Sequence, residues 1–122
     1  MLLLAFALLL TAALLGGVLA ALHLRTESAP PGPVFGALYG LVGIAGFVAL
    51  LLALRGPPRG EAMGVGGFGR TAAVLLAAAL IMAGPIVLAR LCHRHIPALV
   101  IGAHATIAVS GIVILAAYTL VG

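Results

Sequence analysis

Charge in this chain is confined to the boundaries of four long apolar runs. Six arginines and two glutamates are its only charged residues. Glu27 and Glu61 fall in the links, and the arginines sit in the links or at run ends. The runs cover about Leu2–Leu24, Pro33–Leu54, Thr71–Leu91 and Pro97–Val121. Each holds about 20 residues or more, and an α-helix rising 1.5 Å per residue needs that many to cross about 30 Å of hydrocarbon. A soluble domain carries about 25% charged residues. This chain has 7%, with 65% hydrophobic residues and a mean hydropathy of +1.39. It has too little charge to cover a surface in water, so we read it as an integral membrane protein.

No run alternates apolar and polar residues with period two, which argues against a β-barrel. The expectation is an all-α fold: a four-helix up-down bundle forming a single transmembrane domain over 1–122. Met1 to Leu15 has the apolarity of a signal peptide but no positive n-region, and it continues to Leu22. It is therefore read as a retained helix. Pro33 suits a first helical turn, where its missing N–H matters least. The link from Arg55 to Arg70, RGPPRGEAMGVGGFGR, reads as an exposed glycine- and proline-rich loop. Its Gly64–Gly69 segment lacks the preceding strand and the Lys-Ser/Thr ending of a phosphate loop, so it reads as a flexible link. Gly84-Pro85 predicts a kink in the third helix.

The second half echoes the first. Val18 to Arg25, VLAALHLR, matches Val87 to Arg94, VLARLCHR, at five of eight positions. Beyond the following link, Ala45-Gly46 and Leu50 align with Ser110-Gly111 and Leu115, which pairs Tyr39 with His104. This favours a tandem repeat of two-helix hairpins sharing one membrane orientation.

Small residues recur every fourth position. Gly32, Gly36 and Gly40 lead into Gly43 and Gly46; Gly102, Thr106 and Ser110 precede Gly111; Ala12, Gly16 and Ala20 mark the first run. Such stripes let helix backbones approach closely, so these positions are expected to pack helices. A sharper alternative is that one stripe receives a helix of another subunit or a flat cofactor.

Polar chemistry gathers between Arg90 and Gly111. This stretch holds the single cysteine and three of the four histidines. His104 falls about seven residues into the last run, roughly 10 Å below its boundary. An ionisable group at that depth is a functional candidate. It can ligate haem iron, bond a quinone carbonyl or pass a proton. Equally, it can be a neutral imidazole bonded to a backbone carbonyl or to Tyr39. His23, Cys92, His93 and His95 should lie at one face of the membrane with Arg25, Arg90 and Arg94. Cys-His-Arg-His is no standard metal spacing, so no metal site is expected there. The reading is a polar collar whose arginines hold an anionic lipid headgroup.

No acidic pair and no plausible catalytic triad is present, so no enzyme is expected, and no basic run is long enough for nucleic acid. The alanine, glycine, leucine and arginine bias without lysine points to a GC-rich bacterial genome and a bacterial inner membrane. Three arginines on each side of the membrane leave the positive-inside rule balanced.

HATIAVSG, His104 to Gly111, resembles the opening of the final span in small bacterial four-helix haem-b electron-carrier and anchor subunits. The Tyr39–Gly46 stretch extends the likeness to two helices. The resemblance implies haem b or quinone at His104, with Tyr39, His23 and His93 as further cofactor candidates. Those families present two histidines at matched depth; this chain has Tyr39 at the pseudo-equivalent position. Two functions follow as expectations. One is a non-catalytic accessory subunit that packs on a larger respiratory or photosynthetic complex, with membrane lipids and other membrane subunits as partners. The other is a haem-b or quinone-binding electron-transport protein using His104.

Overall fold

The computed structural model describes residues 1–25, 33–57, 60–92 and 94–121. Among them are four α-helices and no strand: α1 Leu2–Arg25, α2 Pro33–Ala53, α3 Phe68–Leu91 and α4 Ala98–Val121. All four are long and apolar enough to cross a membrane. The all-α reading therefore holds, and the chain is a multi-pass membrane protein.

Contacts divide the chain into two compact units, Met1–Pro57 and Pro58–Gly122. In the first, α1 packs on α2; in the second, α3 packs on α4. Each unit is an antiparallel hairpin, and its direction can be read from contacts. Along the first hairpin, Gly16 meets Tyr39, Ala12 meets Gly43 and Leu9 meets Gly46. Descending α1 thus ascends α2.

The packed faces repeat. Leu2, Ala5, Leu9, Ala12 and Leu19 are buried in α1. Their spacing of three and four is the seam of a left-handed helix pair, and Gly16 occupies the seam position between Ala12 and Leu19. In α3 the buried positions are Gly69, Ala72, Leu76 and Ala79. Each follows its α1 counterpart by 67 residues, as in Ala5 to Ala72 or Leu9 to Leu76. A Cβ added to Gly46 would stand 2.9 Å from Leu9 Cγ; one added to Gly111 would stand 2.9 Å from Leu76 Cγ. Leu50 and Leu115 are the largest fully enclosed side chains, one per hairpin. These second-helix pairs differ by 65 residues, so the connection within the second hairpin is two residues shorter.

The structure thus corrects the register of the repeat. Gly46/Gly111, Leu50/Leu115 and hence Tyr39/His104 are equivalent, as aligned. The octapeptide match, VLAALHLR to VLARLCHR, has a shift of 69 and runs two residues out of step with the packing in α1 and α3. Packing geometry fixes equivalence here, whereas shared Leu and Ala letters are easily matched by chance.

The long link also differs from the expected loop. Helix α3 begins at Phe68, so Gly69 is helical and buried. Phe68 N–H donates to Val65 O at 3.0 Å, and both the N–H and the hydroxyl of Thr71 donate to Gly67 O at 3.1 Å, which starts the helix. Before it lies a 3₁₀ turn, Glu61–Met63, bracketed by Gly60 and Gly64 at φ 70° and 77°. Both are left-handed conformations that glycine adopts without a Cβ penalty. A Cβ on Gly60 would collide with Val65 and stand 2.8 Å from Val121 Cγ1, so the turn seats against the end of α4. Helix α3 continues through Pro85 without interruption.

Candidate functional site

His104 lies in the second turn of α4, half-buried within its hairpin. Its imidazole N–H donates to the backbone carbonyl of Ala79 on α3. That carbonyl has a second lone pair for its own helix bond. The Nδ1 atom is shielded from solvent. One of the expected arrangements, an imidazole bonded to a backbone carbonyl, is present. In hydrocarbon such a bond fastens one helix to another, because the alternative is an exposed polar group without water.

Tyr39 occupies the equivalent place in the first hairpin, also half-buried. Its ring lies over Gly16: a Cβ there would be 2.7 Å from Cε2 and 3.2 Å from Oη. At the matching place in α3, 67 residues on, stands Ala83. A larger ring over glycine in one hairpin answers a smaller ring, one turn from an alanine, in the other.

The other expected cofactor candidates do not join His104 among the described residues. The His23 side chain and His93 lie outside them. His95 is exposed in the α3–α4 turn. It lies before the start of α4 at Ala98, and His104 is six residues past that start, roughly 9 Å along the helix. A haem held between two histidines therefore finds one half-buried imidazole, already engaged with Ala79, and no described partner at matched depth. No group of three or more His, Cys, Asp or Glu among the described residues is arranged for a metal ion.

The glycine stripes divide in two. Gly43, Gly46 and Gly111 meet the facing helix of their own hairpin. A Cβ on Gly36, Gly40 or Gly102 would meet nothing within 4 Å, so these three do not touch the facing helix of their own hairpin. Gly32 lies outside the described residues. Thr106 and Ser110 are exposed, and their hydroxyls donate to Gly102 O and Thr106 O, each at 2.7 Å. Their polarity is thereby spent on their own helix, and the face they present is small and nearly apolar.

The described residues expected to form a polar collar lie at helix ends or in the α3–α4 turn. Arg25 ends α1 and is exposed. Arg90 is half-buried in the last turn of α3; Cys92, Arg94 and His95 are exposed beyond it. Sequence reasoning missed Ile96, which is only 4% exposed within this turn, and Thr119, which is 5% exposed in α4. Ile96 sits among polar letters, and Thr119 falls on a helix with no polar face to set its orientation. No protein-family model, curated protein or solved structure matches this chain.

Proposed function

We propose that the chain is a small non-catalytic membrane subunit that packs on, and steadies, a larger energy-transducing membrane complex. The observation that carries this reading is the Gly102–Thr106–Ser110 face of α4. It is exposed and open above Gly102, and its hydroxyls are satisfied by their own backbone. Such a face suits close approach by another membrane helix, since association in lipid rests on backbone proximity and van der Waals contact. The bonding of His104 to Ala79 supports a structural role for the buried imidazole. The likeness of His104–Gly111 to haem-b anchor subunits suggests the energy-transducing class of partner, and the composition suggests a bacterial inner membrane.

The test is purification of the full chain from its native membrane in mild detergent, with a native gel and oxidised and reduced absorption spectra. The expected result is stoichiometric co-migration with larger membrane subunits and no haem absorption from this chain. Migration alone would overturn the reading. So would a Soret band at near one haem per chain that His104→Ala abolishes, and that result would establish the electron-transfer alternative.

A further inference from the structure

We propose that the outward face of α3 around Gly84 and Pro85 receives a transmembrane helix of a different subunit, one that carries a hydroxyl or amide N–H donor near mid-bilayer for the backbone carbonyl of Ile81. This names the chemistry of the partner in the accessory-subunit reading and rests on that reading. Pro85 has no N–H, so the Ile81 carbonyl lacks the donor that the residue four places on supplies in an α-helix. The segment is α-helical through this point, so the neighbouring N–H groups of Gly84 and Ile86 are directed to Leu80 and Met82. Ile81 lies 13 residues past Phe68 and 10 before Leu91, near the middle of the span. Hydrocarbon holds no water at that depth, and a backbone carbonyl without a donor there is costly.

The carbonyl is reachable from outside the hairpin. Ile81 and Leu88 are 75% and 62% exposed, and Gly84 and Pro85 between them are exposed as well. Spacings of three and four put these residues on one face, opposite the seam of Gly69, Ala72, Leu76 and Ala79. A Cβ on Gly84 would meet nothing within 4 Å, so a helix backbone can approach closely there. The described residues of the chain itself offer no spare donor at this depth. The exposed hydroxyls of Thr11, Thr71, Thr106 and Ser110 each donate to a carbonyl four residues back. A hydroxyl has one hydrogen to give. Tyr118 and Thr119 are buried, Tyr39 packs over Gly16, and the His104 N–H is on Ala79. A second copy of this chain therefore brings no donor to mid-bilayer, which leaves a helix of other sequence. The first hairpin supplies a comparison. Gly17 and Val18 stand 67 residues before Gly84 and Pro85, at the equivalent places. Gly17 is equally open, but Val18 keeps an N–H for Leu14, so the carbonyl in need of a donor belongs to the second hairpin.

The test uses the full chain from its native membrane. Ile81-Met82 is the one Ile-Met pair in the sequence, so carbonyl-13C isoleucine with 15N methionine marks a single peptide bond. Its carbonyl resonance in solid-state NMR should lie upfield, in the unbonded position, for the chain freed of larger subunits in detergent. It should move downfield in the native complex. In Pro85→Ala, which restores the N–H, it should be downfield in both. That variant should retain the larger subunits on a native gel about threefold less than wild type, and at most about twentyfold less, the effect of one interhelical hydrogen bond. Gly84→Leu, which fills the approach and keeps the proline, should lower retention too. Val18→Ala, at the equivalent place in the first hairpin, should not, and circular dichroism should find every variant equally helical. A carbonyl already downfield in the freed chain, or full retention in both Pro85→Ala and Gly84→Leu, would overturn the proposal and leave the accessory reading standing. Migration of the wild type alone would overturn both.

Discussion

The ring of Tyr39 fills the space that any side chain on Gly16 would need. Cε2 lies 2.7 Å from the ideal Cβ position, and Cζ and Oη lie 3.1 and 3.2 Å away. Gly16→Ala must therefore move an aromatic ring on the facing helix. Overpacking of this kind costs about 1–3 kcal/mol. Alanine returns about 0.5–1 kcal/mol through its better helix propensity. The net expectation is a loss of stability, read as the midpoint of unfolding in mixed micelles. In a Tyr39→Ala background the same change should become neutral or favourable. A double-mutant cycle without coupling would show that the two positions do not meet.

The equivalence of the hairpins predicts equal responses at equivalent glycines. Gly46→Ala and Gly111→Ala each place a Cβ 2.9 Å from a leucine Cγ, with a second leucine Cβ at 3.1 and 3.3 Å. Both should destabilise by a similar amount, about 1–2 kcal/mol. Gly36→Ala and Gly102→Ala meet open space and should be neutral or stabilising by up to about 1 kcal/mol for the fold. If Gly102→Ala preserves folding but weakens co-migration with larger subunits, the outward stripe is an interface. Equal costs at all four positions would remove the distinction between inward and outward glycines.

What was legible in the sequence, and what was not, follows from the solvent. Helix positions were readable because hydrocarbon demands long uncharged runs, and the arginines mark where each run ends. Helix faces were not, because α1 to α4 are apolar all round. Leu3 and Leu14 are exposed while Leu9 and Leu19 are buried, and nothing in their letters separates them. The information lies in size across the seam, Leu9 on Gly46 and Tyr39 on Gly16, which needs both partners to be known. The octapeptide match signals the repeat but not its register in the first helices, because most of its shared letters are common apolar ones. The alignment of the second helices is in register, because Gly46 and Gly111 carry a real steric constraint. The depth of His104 could be counted from Pro97. Its partner could not be foreseen, because every residue offers the same backbone carbonyl.

The bond between His104 and Ala79 predicts a graded series. His104→Leu removes the donor and leaves bulk; interhelical hydrogen bonds of this kind contribute about 0.6 kcal/mol on average and up to about 1.7. His104→Gln keeps an N–H donor and should lose less. The absorption spectrum should be the same in all three proteins. A loss far above 2 kcal/mol in His104→Leu, or a spectral change in His104→Gln, would mean that the imidazole does more than join α4 to α3.

Thr119 gives the opposite sign. It is 5% exposed, and its hydroxyl oxygen is buried with no hydrogen-bond partner among the described residues. Burying a hydroxyl without a partner costs about 1–3 kcal/mol, whereas an apolar group of the same shape is neutral or favourable. Valine has that shape. Thr119→Val should therefore stabilise the second hairpin by about 1 kcal/mol, seen as a higher unfolding midpoint. Thr106 supplies the control, since its hydroxyl is exposed and donates to Gly102 O at 2.7 Å. Thr106→Val removes a satisfied group at the helix surface and should change stability by less than about 0.5 kcal/mol. If Thr119→Val instead destabilises the protein, the hydroxyl has a partner in the membrane, whether a water or a second chain. The Tyr118–Thr119 end of α4 would then be the first place to look for it.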